Sequence, residues 1–138
     1  MTAETTSPSG LIAMQAMVAR IACRCMTVPD LKAVSDSIDQ AACLPARPQW
    51  EHKASAHTQV FGLLADATGY PVLARLAGPA TAWVHDMTLT AGPAADGMIL
   101  SSRRRLLGCL RARDPAGAGH EVEHHLAGLH YMCRLAAA

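Results

Sequence analysis

The chain has 138 residues, enough for one domain and too short for a second full one beside it. It is 51% hydrophobic and 17% charged, against roughly 25% charged in an average globular domain, which excludes a disordered protein. A formal charge of +1 leaves no electrostatic footprint for nucleic acid or an anionic membrane.

With only Trp50, Phe61, Tyr70, Trp83 and Tyr131 as aromatics, the core must be built from Ala, Leu, Val, Met and Ile. Such residues favour packed helices over strands. Residues 1–9 read as a flexible tail of Thr, Ser, Pro and Gly. A helical stripe then runs through Leu11, Met14, Val18, Ile21 and Cys25. Thr27, Pro29 and Asp30 supply a cap, an early proline and an acid in the first turn of a second helix over 29–42. The two prolines of 43–48 mark a loop. A third helix over 49–68 places Val60, Phe61, Leu64 and Ala67 on its inner face and ends at Gly69.

Pro71 starts a fourth helix carrying Val72, Leu76, Trp83 and Met87, with a kink or split expected at Gly78-Pro79. Residues 91–97 read as a loop. A fifth helix follows over 98–113 and a sixth over 115–136, with Asp114 as its cap and Pro115 at its first position. No segment shows the period-two pattern of a strand. The expected fold is all-α, an antiparallel bundle of about six helices over 10–138. No apolar run approaches a membrane span, and the first residues lack the order of a secretion signal. The five cysteines form an odd set without CxxC spacing and read as reduced thiols in a cytoplasmic protein.

Three stretches resemble one family. Residues 17–31 (MVARIACRCMTVPDL) look like a first helix running into a Thr-x-x-Asp-Leu helix start. Residues 61–73 (FGLLADATGYPVL) are similar to a helix, a glycine turn and a proline-led helix. Residues 103–126 match a penultimate helix, its terminal Asp and a last helix with an internal His-Leu. In this order they resemble the FCD domain, the effector-binding domain of FadR-type regulators in the GntR family of bacterial transcription factors. The resemblance implies a ligand pocket inside the bundle, a small organic acid as effector and a homodimer. Such regulators carry a winged helix-turn-helix ahead of the sensor. About ten residues precede the bundle here, so the expectation is a sensor without direct nucleic-acid contact.

Many members of the family hold a divalent metal in that pocket through an Asp and a His one helical turn apart, plus two further His. Carried onto this chain, those positions fall on His57, Phe61, Arg103 and His125. Only the last is a matching ligand, so the expectation is a pocket without the metal, and without another cofactor.

Helix geometry bears on the same residues. Arg103 lies near the centre of the Ile99/Leu106/Leu107/Leu110 stripe, where a charge needs a partner. Either it pairs with an Asp or Glu, or its guanidinium grips a ligand carboxylate directly. His57 lies near the centre of the third helix's inner face, Phe61 is one turn on as an apolar wall, and His125 sits at the edge of the last helix's stripe. Each His could equally be a satisfied core histidine.

His120-Glu121-Val122-Glu123-His124 spells HExxH, the pattern of a small zinc-dependent hydrolase. Its two His point away from the apolar stripe, so a non-enzymatic sensor is the leading reading. A degenerate bundle serving only dimerisation is the third.

Overall fold

The computed structural model describes residues 7–137. Helix α1 (Pro8–Cys25) begins inside what reads as tail, because the Ser7 hydroxyl accepts from the Gly10 amide and Pro8 takes the first turn. The expected tail otherwise lies outside the described residues. Helix α2 (Val28–Cys43) opens on a full capping box: Thr27 Oγ1 accepts from the Asp30 amide, and the Asp30 carboxylate accepts from the Thr27 amide. Helix α3 (Trp50–Ala67) ends at Gly69, whose φ of 76° is the left-handed conformation expected of a terminating glycine.

The fourth helix splits as its Gly-Pro pair requires, into α4 (Pro71–Leu76) and α5 (Gly78–Ala91). A short turn of 3-10 helix (Pro93–Ala95) leads into α6 (Asp96–Arg111), and α7 (Pro115–Ala137) closes the chain. The Asp114 carboxylate accepts from the Gly117 amide at the head of α7. Among the described residues there is no strand, and the architecture is an all-α bundle. No described helix is long and apolar enough to cross a membrane.

Two stripes differ from expectation. On α1 the buried line is Gln15, Ala16, Val18, Ala19, Ala22 and Cys23, while Cys25 is exposed. The inner face is thus the small-residue face, because α1 lies closely along α7. A β-carbon at Gly119 would sit 2.6 Å from the Arg20 guanidinium, so only glycine permits that approach without displacing the arginine. On α4 nothing is buried, and Val72 and Leu76 stand exposed. The break at Ala77 takes this short segment out of phase with α5, whose Val84 and Met87 do enter the core.

The main core joins α1, α2, α3, α5, α6 and α7 through Val18, Ile38, Phe61, Leu64, Leu106, Leu110, Leu126 and Leu129, among others. A smaller cluster of Trp50, Ala54, Ala95 and Ile99 packs where α3 meets α6, anchored by the Trp50 indole N–H donating to the Thr88 carbonyl at 3.1 Å. This second cluster bridges side chains of α3 and α6 beside the polar residues described next.

Candidate functional site

Helix α3 stacks Lys53, His57 and Phe61 one turn apart on a single buried face. Helix α6 brings Asp96 on its first turn and Arg103 two turns later, below Ile99. Helix α7 contributes His125, which is also buried. All four positions expected from the sequence are therefore interior, at exposures of 1% (His57), 1% (Phe61), 2% (Arg103) and 5% (His125).

Arg103 is the largest fully buried side chain. Its Nε donates to the His57 carbonyl at 3.2 Å, and its guanidinium carbon lies 4.7 Å from the centre of the Phe61 ring. Phe61 is thus a platform under the cation as well as a wall. Among the described residues no carboxylate makes an ion pair with Arg103. Glu121, the acid whose charge reaches it, is bound instead by the Ser102 hydroxyl at 2.7 Å and by Arg105 Nε at 3.0 Å. Burial pushes the guanidinium down to about 10, with Glu121 acting weakly in the opposite sense. The structural ion pair open to Arg103 on sequence grounds is not formed.

His57 Nε2 lies 2.7 Å from Asp96 Oδ1, and Lys53 Nζ donates to Asp96 Oδ2 at 3.1 Å and to the Leu44 carbonyl at 2.7 Å. Burial lowers the His57 pKa, partly offset by the bond to Asp96 and reinforced by the charge of Arg103. Burial alone would raise Asp96, but the hydrogen bonds from His57 and Lys53 prevail and hold it below its usual range. Both directions describe a neutral imidazole donating to an ionised carboxylate. His125 is pushed down to about 2 by burial and then by the charges of Arg103, Arg105, His57 and His124, so it too is neutral.

The polar atoms left without partners mark this place. Of five buried side-chain atoms lacking a hydrogen bond among the described residues, three are His57 Nδ1, Arg103 Nη2 and His125 Nε2. The other two, Gln15 Oε1 and Ser37 Oγ, belong to other side chains of α1 and α2. His125 also lines a groove of about 380 Å³ between α6 and α7, with Met98, Arg105, His124, Gly128 and Tyr131. A wider groove of about 890 Å³ between α2 and α3 contains none of the four.

A divalent metal does not fit this donor set. Two imidazole nitrogens are free to ligate, but the remaining positions hold an aromatic ring and a permanent cation, which would repel a second cation. The HExxH segment is placed no better for catalysis. His120 and His124 are exposed and stack on each other with ring centres 6.5 Å apart, while Glu121 is held by Ser102 and Arg105. Among the described residues no group of three His, Cys, Asp or Glu is arranged to hold a metal ion.

Sequence reasoning missed Lys53 and Asp96. Lys53 had a usable signal, since it lies one turn before His57 on the same face. Asp96 had none, because it falls in a stretch that reads as loop and becomes helical only through the preceding 3-10 turn. The family model for the FCD domain matches residues 11–128. No curated protein matches the chain.

Proposed function

The chain belongs to the FCD domain family, and from that premise we propose that His57, Arg103 and His125, with Phe61 as platform, receive a small organic acid without the metal many relatives use. FCD domains are effector-binding regulatory domains of GntR-type transcription regulators, a generally non-enzymatic group. The observation that carries the proposal is the trio of unpartnered buried polar atoms contributed by α3, α6 and α7. Buried polar groups are ordinarily satisfied, and the oxygens of a small acid would supply the partners that these three atoms do not find within the chain. Arg103 supplies the positive charge that a metal would supply, and its free Nη2 can donate to a carboxylate oxygen. An effector held by three helices would favour one arrangement of the bundle over another.

In this reading the domain works as a homodimer in the cytoplasm and makes no nucleic-acid contact itself; the support is the family. The test is thermal unfolding against a broad panel of small mono- and dicarboxylates. At least one acid is expected to raise Tm in the parent and to have no effect on Arg103→Met. A panel without any shift in the parent would overturn the proposal in favour of a bundle serving only dimerisation.

A further inference from the structure

We propose that Asp96 is the specificity-determining residue of this site: by holding His57 in one tautomer it makes the site select a 2-hydroxy acid over its 2-oxo counterpart. The inference rests on the organic-acid reading above and adds to it the chemistry required next to the carboxylate.

A neutral imidazole carries one N–H and one lone pair, and the partner of one nitrogen dictates the role of the other. Asp96 is ionised and can only accept, so the 2.7 Å bond to Oδ1 puts the proton on His57 Nε2. Nδ1 is then left as a lone pair, buried and without a donor to face. Arg103, whose Nε is tied to the His57 carbonyl, presents Nη2, which can only donate. The site therefore offers one donor carrying positive charge and one neutral acceptor.

A ligand that satisfies both has an anionic oxygen and, beside it, a hydrogen-bond donor. A hydroxyl fits the second role. A ketone places lone pair against lone pair, and leaving such a buried acceptor unmatched is strongly unfavourable. An ammonium group would also donate, but it would enter next to the unpaired charge of Arg103 and near Lys53, which faces the same carboxylate as His57. The geometry thus favours a hydroxyl over an amine.

Lys53 makes the inference testable by one substitution. In Asp96→Asn, the amide oxygen must turn to the Lys53 ammonium, which can only donate, leaving the amide N–H2 toward His57 Nε2. His57 then moves its proton to Nδ1, and the site becomes donor against donor, suited to a carbonyl oxygen. Asp96→Glu keeps an accepting carboxylate and should keep the parent tautomer.

The experiment has two arms. Imidazole nitrogen chemical shifts of the ligand-free protein near neutral pH, with His57 assigned by its loss in His57→Gln, should show Nε2 protonated in the parent and Nδ1 protonated in Asp96→Asn. Calorimetric titration with matched 2-hydroxy and 2-oxo acids, 2-hydroxybutanoate and 2-oxobutanoate among them, should show the hydroxy acid bound about tenfold or more tightly by the parent. That preference should be lost or reversed in Asp96→Asn and retained in Asp96→Glu. Parent His57 carrying its proton on Nδ1, or hydroxy and oxo acids bound equally, overturns the role of Asp96 while leaving acid binding intact. If no acid binds at all, the organic-acid reading fails and this inference fails with it. Should Asp96→Asn not fold, the parent tautomer and the parent preference still decide.

Discussion

Replacing Arg103 by methionine removes a buried charge while keeping an unbranched, flexible side chain in its place. The guanidinium sits at about 10 instead of 12.5, and at 1.36 kcal/mol per pH unit burial costs about 3 kcal/mol for keeping it charged at neutral pH. The sign follows from the direction: a cation with a depressed pKa weakens the fold throughout the neutral range, and the penalty lifts only as pH rises past about 10. Against it stand one charged hydrogen bond to the His57 carbonyl, worth roughly 1.5–3 kcal/mol, and the contact with Phe61, worth roughly 0.5–2 kcal/mol. The terms nearly cancel. Arg103→Met is therefore expected to change the unfolding free energy of the ligand-free domain by no more than about 1 kcal/mol, or about 3 °C in Tm. Urea unfolding with a linear extrapolation measures it directly. An arginine holding the fold through a buried ion pair would instead cost about 3–5 kcal/mol on removal. A loss of that size would refute the reasoning and make Arg103 a structural residue rather than a binding one.

Other outcomes follow from the same geometry. His125, held at about 2 instead of 6.5, is neutral when folded and takes a proton first in the unfolded chain. Stability is therefore full above about pH 6.5 and falls by about 2 kcal/mol on going to pH 5, with His57 adding in the same direction. His125→Gln should flatten this slope in urea titrations, and an unchanged slope would contradict the assignment. Thr27→Ala breaks the capping box of α2 and should cost about 1 kcal/mol without altering acid binding. His120→Ala and His124→Ala, on the exposed face of α7, should leave stability within about 0.5 kcal/mol and leave any acid-induced Tm shift intact. Loss of the shift in either variant would bring that face into the site.

The local signals of this chain carried far. Thr27 with Asp30, Gly69, the Gly78-Pro79 break and Asp114 with Pro115 each act through backbone groups a few residues away, so the sequence alone placed the helix ends they govern. Helical periodicity likewise put His57, Phe61 and Arg103 on inner faces and His125 at the edge of one, where all four prove buried. A composition rich in Ala and Leu and poor in aromatics favours the all-α class for the same local reason. What lay beyond it was everything set by the distance between helices. The buried face of α1 is the one that packs along α7, which the spacing of its larger apolar residues does not reveal. The exposure of Val72 and Leu76 depends on how α4 turns away after its break. The partners of Arg103 and His57 are a ring, a backbone carbonyl and an aspartate 39 positions along the chain, and they come within reach only where long side chains of α3 and α6 meet inside the bundle. Spacing along α3 and α6 was enough to bury His57, Phe61 and Arg103. The tertiary structure decided which of them would be left without a partner, since satisfaction of a buried polar atom is a property of its surroundings and not of its own helix.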